Sequence, residues 1–557
     1  MNRKEFFSFK SAAVAAPDGL KDIKRRTSTG LNKYTGVWTK SEVKHLLGRT
    51  LFGFSKSDIS NFLSKGLDTS VTDLLNTSAV APSPPLNNYG IAGNVDPGVA
   101  LGQTWIDALP DGNFNGARVG SFKAWWFGLI LNQDKTILEK MTLFWHDHLA
   151  TQTETVNDPR MIYAHHAMLR AGAMGNLKTL VRNATIDAGM LIYLNGTYNT
   201  KSAPDENYAR ELQELFCIGK GPDSKYTEVD VKAAAHLLTG WRVNRGSNPV
   251  TVAFDVTKHD TTDKQFSSFY GDTKITGRNT TNAGNLELDD MLTMIFNQNE
   301  VAKFICRKLY RYFVYYEIDA NVETNVITPL ADHFRTNNYS IKAVLEKLLL
   351  SEHFFDVANR ACYIKSPIDH LGGFIQQTKT AMPSIGANGV TCVYDHWGLY
   401  SYYSNILGLD LGDPPNVAGW QAWYQAPQFH EIWINSDSLP KRNQFSDFIL
   451  AGGYTKTGFT QKSDVLAMAE MFSDPSDPDK LAAEALELFL TLDASASLKT
   501  STTNLLLAGG TIPKYNWTNA WNLWKSTPSD TANKNTVTYL LVLMFKGIMN
   551  LEEYQLC

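Results

Sequence analysis

The segment from Pro204 to Gly219, PDENYARELQELFCIG, combines a helical repeat of apolar residues with an opposite face of polar ones. At about 100° per residue, one side of a helix over this segment carries Tyr208, Ala209, Leu212, Leu215 and Phe216. The other side carries Glu206, Asn207, Arg210, Glu211, Gln213 and Glu214. Asp205 is placed to cap the first turn, and Gly219 stands where a helix commonly ends. The pattern predicts a helix that buries Leu212, Leu215 and Phe216 in a core.

The polar face of this helix has two interpretations. In the first, it is a solvated surface held by the i,i+4 pairs Glu206–Arg210 and Arg210–Glu214. In the second, Glu206, Glu211 and Glu214 are catalytic carboxylates or oxygen ligands of a metal ion. Asn207 and Arg210 would then orient the substrate or the ligands.

The fold class follows from the same kind of periodicity along the rest of the chain. Helical patterns dominate, and strict alternation occurs mainly in VTVAFDV, followed by a second strand-like stretch, KQFSSFYGDTKITG. We therefore predict a mainly α fold, a large multi-helix body with a small β-hairpin insertion around 245–285. The predicted units are an N-terminal tail at 1–36, a main helical domain at 37–450 with an irregular excursion at 79–116, and a C-terminal helical region at 451–557 packed on the main domain.

Composition excludes several functional classes. The chain has 557 residues, 43% hydrophobic and 19% charged, with a net charge of −4, which is typical of a globular protein and not of a nucleic-acid partner. No apolar run reaches the length of a membrane span. The five cysteines form no CxxC pair, so neither a zinc ribbon nor a complete disulfide framework is indicated. The aromatic residues either pack in the core or line a cleft for sugars or other flat ligands.

Histidines supply the other candidate chemistry. His146 and His148 in FWHDH have a spacing frequent among metal ligands, but on a helix their rings point about 200° apart. Either the helix ends here, so that both can bind one divalent metal ion, or only one histidine faces the site. The interpretation without a metal is a histidine that bonds a buried carboxylate. His259 and Asp260 fall between the two strand-like stretches. They form either a polar turn or a base that the hairpin at 250–275 brings towards the Glu206 helix.

Three further residues are candidates for substrate binding. Trp241 and Arg242 follow a predicted helix end in LTGWR, and Trp420 closes the rigid loop DPPNVAGW. The chain contains no GxSxG, P-loop, GxGxxG or HExxH motif. Their absence removes the common hydrolase, NTPase, dehydrogenase and zincin interpretations.

Several of these segments together resemble a known family. In order they are FWHDHLA, MLIYLNG, PDENYARELQELFCIGKG, YTEVDV, HLLTGWR, KHDTTDKQF, RKLYRYFV, SEHFF, KSPI and DPPNVAGW. From about Lys40 to the C-terminal NLEEYQL, the chain resembles the bacterial family named domain of unknown function 1800. The sequence departs from the family at His236, where arginine is usual before LTGW, and in lacking a clear export signal.

The resemblance implies a large, mainly helical protein in a periplasmic or cell-surface setting. It also implies a partner similar to secreted sulfatases and phosphatases, because the two families are commonly encoded side by side. It brings no established reaction. Without a clear signal peptide, a cytoplasmic location stays open.

Two functional hypotheses follow. The first is a metal-assisted, hydrolase-like enzyme of the bacterial envelope that acts on a glycan or another polymer with one divalent metal ion. Its catalytic residues would be Glu206, Arg210, Glu211, Glu214, His259 and Asp260; its metal ligands would be His146 and His148; its substrate-binding residues would be Asn207, Trp241, Arg242 and Trp420. The alternative is a non-catalytic scaffold or binding subunit of an envelope or secreted complex. An enzyme requires these side chains to converge on one accessible cavity, whereas a scaffold buries them in pairs.

Overall fold

Helical periodicity in the sequence corresponds to helices along most of the chain, which confirms the mainly α fold. The structure is a computed structural model that describes residues 29–77, 80–90 and 95–557. The helices of its first half are α1 (Lys40–Thr50), α2 (Lys56–Leu75), α3 (Asn115–Leu131), α4 (Leu138–His148), α5 (Thr153–Val156), α6 (Pro159–Gly172), α7 (Leu177–Thr185), α8 (Ala188–Tyr193), α9 (Asn207–Glu211) and α10 (Glu228–Leu237).

Short strands separate these helices from the second half. The strands are β1 (Trp241–Asn244), β2 (Thr251–Phe254), β3 (Lys264–Gln265) and β4 (Lys274–Ile275), followed later by β5 (Tyr454–Lys456) and β6 (Phe459–Gln461). The remaining helices are α11 (Ala283–Phe296), α12 (Asn299–Phe313), α13 (Ala320–Val322), α14 (Thr328–Thr336), α15 (Ile341–Leu349), α16 (Pro367–Thr378), α17 (Ile385–Ile406), α18 (Ser438–Ala451), α19 (Val465–Glu470), α20 (Pro478–Phe489), α21 (Ala496–Leu506), α22 (Lys514–Ser526) and α23 (Thr531–Met549).

Helix α4 lies at the centre of the main body, and every one of its residues is buried. It packs against α6, and α6 packs in turn against α3. A helix buried on all sides is normally apolar all round. This one carries Glu139, Lys140, His146, Asp147 and His148 into the interior, so the surrounding elements must supply partners for their polar atoms.

The helix predicted from Pro204 to Gly219 is present, but it changes type halfway. It continues from α9 as a π-helix over Leu212–Cys217. A π-turn holds more residues per turn than an α-helix, so it rotates the faces that follow it. Leu212 and Phe216 are buried as predicted, whereas Leu215 is only partly buried. Gln213, predicted on the polar face, is buried and accepts a hydrogen bond from the hydroxyl of Tyr270 at 2.7 Å.

The strand region contains two hairpins where the sequence predicted one. Strand β1 pairs with β2, and β3 pairs with β4, each antiparallel. The stretch KQFSSFYGDTKITG therefore folds back on itself and does not pair with VTVAFDV. His259 lies in the connection between the two hairpins, after a 3-10 turn over Val256–Lys258. The physical reason is local: Ser268–Tyr270 and Gly271, which has a φ of 66°, form a tight turn inside the second stretch.

The predicted outer segments lie against the main body where the structure describes them. Residues 1–28 of the predicted tail lie outside the described residues, but Leu31 is buried and the N–H of Tyr34 donates to the carbonyl of Leu350 at 2.8 Å. The Lys44 ammonium on α1 donates to the carbonyls of Glu487 and Leu490, at 2.9 and 3.0 Å, at the end of α20.

One hydrophobic core runs from the first of these helices into the last. Residues 451–557 share this core with the rest of the chain. Among the described residues, no helix is long and apolar enough to cross a membrane.

The burial of the π-helix gives a first test. We expect Leu212→Ala to lower the free energy of unfolding by about 2–5 kcal/mol, because it removes buried methyl groups and leaves a cavity. Leu286→Ala on α11 is the matched control, since Leu286 is 42% exposed and Leu212 is fully buried. Urea denaturation followed by circular dichroism measures both. Equal midpoints for the two variants would contradict the observed burial.

Candidate functional site

The charged residues of α9 form ion pairs at the protein surface. Arg210 pairs with Glu206 at 3.0 Å and with Glu228 of α10 at 2.7 Å. The predicted Arg210–Glu214 pair is replaced, because Glu214 in the π-helix pairs with Lys220. Ion pairs this exposed contribute little stability. This part of the polar face matches the interpretation as a solvated surface, and Asn207 is exposed beside it.

Glu211 is the exception on this face. One of its carboxylate oxygens, Oε2, is buried and has no hydrogen-bond partner within the described residues. Burial raises the pKa of Glu211, and the negative charge of Glu214 raises it further. Glu211 in turn contributes to the raised pKa of Tyr193 at the end of α8.

His146 and His148 occupy different surroundings, as their angular separation on a helix requires. His148 donates from Nε2 to the carbonyl of Phe216 at 3.0 Å and accepts at Nδ1 from Lys308 of α12 at 2.9 Å. His146 packs edge-to-face on Trp126, with ring centroids 5.1 Å apart, and neither of its nitrogens has a partner among the described residues. The two rings therefore do not share one binding point.

Asp147, between these histidines, holds the loop that ends in Trp420. Its Oδ1 accepts from the backbone N–H of Trp420 at 2.7 Å. Gly419 makes this approach possible, because a Cβ there would lie 2.1 Å from Asp147 Oδ1 and its φ is +93°. Burial raises the pKa of Asp147, and Lys308 acts in the opposite direction.

These contacts bring four separated sequence segments together at the C-terminal end of α4. We call this cluster the motif junction; it comprises Asp147, His148, Phe216, Lys308 and Trp420. Burial lowers the pKa of His148 well below its usual value, and Lys308 adds to that effect, so its ring is neutral. His148 uses both nitrogens inside the protein, and Asp147 accepts from a backbone N–H. This pairing is what the scaffold hypothesis expects.

His259 and Asp260 form bonds within the strand region. His259 is fully buried, with Nδ1 2.9 Å from the carbonyl of Thr239 and Nε2 3.1 Å from the carboxylate of Glu287. Both ring nitrogens thus have partners other than α9, in place of the predicted approach to the Glu206 helix. Asp260 accepts from His236 Nδ1 at 2.6 Å. The departure from the family at this position therefore keeps a basic side chain beside Asp260.

Three of the four predicted substrate-binding residues also make contacts inside the protein. Trp241 is 5% exposed and packs on Phe254, and Trp420 is 2% exposed. Arg242 donates to the carbonyls of Thr197 and Asn199. Within the part of the chain that the structure describes, no group of three or more His, Cys, Asp or Glu side chains is placed to hold a metal ion. The metal site stays a prediction.

An accessible cleft lies at the other end of α4. Residues 80–84, which we call the strap, cross the surface between two adjoining cavities of about 410 and 400 Å³. We call the first cavity, towards α17, the first lobe and the second, towards α6, the second lobe. Trp125, Leu138 and Arg170 line both lobes.

Hydrogen bonds to the backbone hold the strap at Ser83 and the chain just after it at Leu86. Trp125 Nε1 donates to the carbonyl of Ser83 at 2.8 Å, and the N–H of Leu86 donates to the Tyr394 hydroxyl at 2.9 Å. Ser121 donates to the carbonyl of Leu86 at 2.6 Å. The segment APSPP cannot form a regular ladder, because its prolines lack N–H donors. Helices α3 and α17 therefore supply the partners that a sheet would otherwise give.

Aromatic rings form the walls of the first lobe. Trp397 of α17 is half-buried and lies against α3, where a Cβ on Gly128 would be 2.6 Å from its indole ring. Tyr394 stands one turn away with ring centroids 5.0 Å from Trp397. Tyr394 is buried, whereas the Trp397 ring is partly exposed, and a flat, partly exposed ring can bind the apolar face of a sugar or another flat ligand.

Unpartnered polar atoms are concentrated in the walls of the same cleft. Neither amide atom of Gln133 has a hydrogen-bond partner among residues 29–77, 80–90 and 95–557, and the same holds for Glu139 Oε2 and Trp397 Nε1. In the second lobe, both ring nitrogens of His166 are likewise unpartnered. Buried polar atoms without partners are rare and costly, so their accumulation beside one cavity is typical of a binding site.

Glu139 and Arg170 give the cleft its electrostatic character. Arg170 donates from Nε to Glu139 Oε1 at 2.9 Å, and its Nη2 forms an ion pair with the same oxygen at 2.8 Å. Burial raises the pKa of Glu139 in spite of this arginine, and Asp134, which lines the first lobe, raises it further. The first lobe thus contains one buried carboxyl group that favours its proton and one exposed carboxylate.

The sequence contained only weak signals of this cleft. Its residues come from the strap, α3, the loop before α4, α6 and α17, which lie far apart along the chain. Trp125 and Trp397 fit a core helix equally well, and Gln133 belongs to no motif. The usable signal was the combination of a Pro-rich irregular stretch with an unusual number of tryptophans.

The fold and these sites define the class of protein. It is a mainly helical protein with a closed motif junction and an aromatic cleft at opposite ends of one buried helix. The chain belongs to the family described as protein of unknown function (DUF1800), which it matches over residues 45–556. No curated protein and no solved structure matches it.

Gln133 allows a test of the cleft on stability alone. We expect Gln133→Leu to leave the unliganded protein as stable or to stabilise it by about 1–3 kcal/mol, because the unpaired amide loses its desolvation cost. Gln213→Leu is the control, since the buried amide of Gln213 is hydrogen-bonded. Thermal unfolding measures both. A larger loss for Gln133→Leu than for Gln213→Leu would show that the Gln133 amide has partners.

Proposed function

We propose that this protein binds a saccharide chain in the cleft beneath the strap. The observation that carries the proposal is a cavity wall that contains the partly exposed Trp397 ring and Gln133, whose buried amide atoms have no hydrogen-bond partner among the described residues. A sugar offers an apolar face to an aromatic ring and hydroxyl groups that both donate and accept hydrogen bonds. The amide, which can also do both, suits such a ligand.

The shape of the cleft supports a chain in preference to a single small molecule. Each lobe has the volume of an ordinary ligand pocket, and the strap joins the two lobes at Pro82. A linear polymer passing under or beside the strap would place neighbouring units in successive lobes. Trp125 and Arg170, which line both, would contact two of those units.

The biological setting is part of the same proposal. The family resemblance favours the bacterial envelope or cell surface, where saccharide polymers are abundant. A partner similar to secreted sulfatases or phosphatases would act on substituents of such a polymer while this protein holds it. This combines the polymer ligand of the enzyme hypothesis with the role of a binding subunit.

The binding proposal is tested by titration with defined oligosaccharides. We expect Trp397→Ala to raise the Kd for the bound saccharide at least about tenfold, because losing 1.4 kcal/mol of ring contact has that effect. Tyr402→Ala, on the same helix, is the control, since Tyr402 is 60% exposed and does not line the cleft. A glycan array selects the saccharide, and isothermal titration calorimetry measures the variants.

Two results would contradict this proposal. One is the absence of binding to every saccharide on the array. The other is binding that Trp397→Ala and Tyr402→Ala weaken equally, which would place the ligand elsewhere. Gln133→Leu provides a second check, because it should weaken binding without lowering the melting temperature.

The metal-assisted enzyme is the second candidate, and the unpartnered nitrogens of His146 favour retaining it. Burial lowers the pKa of His146 to about 3, so this ring is neutral over the ordinary range of pH. We expect any ion held by His146 to persist between pH 7 and about 5, whereas exposed histidines would release it below about pH 6. Inductively coupled plasma mass spectrometry measures the metal content.

Variants separate the metal-assisted enzyme from the saccharide-binding protein. His146→Ala and Glu211→Ala should each remove the ion, while His333→Ala on α14 should keep it. A protein without metal, whose melting temperature does not change with a chelator, would contradict the metal hypothesis. That outcome would leave the saccharide-binding proposal intact, because the cleft does not include His146.

A further inference from the structure

We propose that the strap is a gate for the saccharide chain and that the hydrogen bond from Trp125 to Ser83 is its latch. This inference rests on the proposed function, because the gate controls access to the same cleft. The two lobes adjoin at Pro82 and Trp125, which line both of them. A saccharide chain that spans the lobes has to cross this line, whereas a single sugar unit has room within either lobe.

The latch ties the strap to the wall of the cleft. The Trp125 side chain lines both lobes, and its Nε1 donates at 2.8 Å to the carbonyl of Ser83, which lines the first lobe. Among the residues that the structure describes, this is the one hydrogen bond made to residues 81–84. A single hydrogen bond makes a modest net contribution to stability. The latch is therefore weak enough to open and close without unfolding the protein.

The chain that follows the strap is held much more firmly. The N–H of Leu86 donates to the Tyr394 hydroxyl at 2.9 Å, and the carbonyl of Leu86 accepts from Ser121 at 2.6 Å. Asn87 is buried, and its N–H donates to the carbonyl of Gln103 at 2.8 Å. This contrast in hydrogen bonding fixes one end of the strap, so that movement is confined to the residues before Leu86.

The sequence of the strap favours movement as a stiff unit. Each proline of the segment APSPP, residues 81–85, has a fixed φ and keeps the residue before it extended. The segment therefore swings and does not collapse into a lobe. Its outer side faces solvent, since Val80 is 77% exposed and Ser83 is also exposed. Opening outwards joins the two lobes into one groove.

A gate has a kinetic signature that a binding contact does not have. The saccharide passes through the same open form on entry and on exit. A weaker latch populates this form more, so kon and koff should rise by the same factor while Kd stays constant. Loss of a contact with the bound saccharide instead raises koff alone.

The experiment uses the full-length protein and the variant Trp125→Phe, which keeps an aromatic ring and removes the N–H donor of the latch. Trp126→Phe is the matched control, because the Nε1 atom of Trp126 is buried without a hydrogen-bond partner in the described part of the chain. Stopped-flow fluorescence measures kon and koff for the oligosaccharide of about three units or more that binds most tightly on the array, and for its monosaccharide unit.

We expect Trp125→Phe to raise both rates for the oligosaccharide about 2- to 10-fold, the effect of one hydrogen bond on an equilibrium, with a Kd within about twofold of wild type. The rates for the monosaccharide should change less than about twofold, because it does not cross the strap. Pro84→Ala, which releases φ and keeps the latch, is a second variant and should change the rates in the same direction.

A measurement without saccharide tests the gate by itself. Leu138 lines both lobes and is 7% exposed, so a thiol introduced by Leu138→Cys should react with iodoacetamide mainly when the strap is open. Labelling at this site, identified by mass spectrometry, should be faster when Trp125→Phe is added and unchanged when Trp126→Phe is added. Four of the five native cysteines are buried, which limits competing reactions.

Each contrary outcome is distinct. A rise in koff alone would identify Trp125 as a ligand contact and overturn the gate, as would equal effects of Trp125→Phe and Trp126→Phe on rates and labelling. If Trp125→Phe does not fold, unchanged rates and labelling in Pro84→Ala would overturn it. Absence of binding to every saccharide would defeat the proposed function, and the labelling experiment would then decide the gate alone.

Discussion

Helix α4 carries five ionisable side chains into the protein interior, and the elements around it supply partners to four of them, Glu139, Lys140, Asp147 and His148. Arg170 of α6 pairs with Glu139, Asp369 of α16 pairs with Lys140, and the loop at Trp420 supplies a backbone N–H to Asp147. An uncompensated buried charge costs several kcal/mol, so none of these neighbours can move away independently. The packing of the main body therefore follows from a polar helix that has no exposed face.

The two ends of α4 are about 16 Å apart for a helix of this length. They differ in how their buried polar groups find hydrogen-bond partners. At the motif junction, His148 uses both nitrogens and Asp147 accepts from a backbone N–H, so the site is closed. At the first turn, Arg170 contacts one oxygen of Glu139, whereas the other oxygen and the Gln133 amide have no hydrogen-bond partner among the described residues. Buried polar atoms without partners are rare in folded proteins. The junction thus supports the fold, and our proposal places the ligand at the other end of α4.

The sequence predicted the parts that depend on local periodicity. The mainly helical fold follows the helical periodicity, and the burial of Leu212 and Phe216 agrees with the 3.6-residue repeat. The π-helix reversed the expected places of Gln213 and Leu215, because a change of helix type has no signature in apolar spacing. The cleft was not predicted, since its surface exists only after α3, α6 and α17 pack together. Trp420 illustrates the same limit: the sequence shows a rigid loop, but only packing shows that the ring is buried.

Several segments that carry the family resemblance contribute to the motif junction or to the strand region, and the cleft residues lie outside the quoted segments. FWHDHLA contributes Asp147 and His148, and DPPNVAGW contributes Trp420, whereas Trp397, Gln133 and Glu139 belong to none of the quoted segments. Membership in the family therefore identifies the scaffold that holds α4 and does not identify the ligand. A relative with the same junction but different residues at the strap and on α17 would keep the fold and bind another molecule. The proposed saccharide binding therefore has to be tested with variants of the cleft residues themselves.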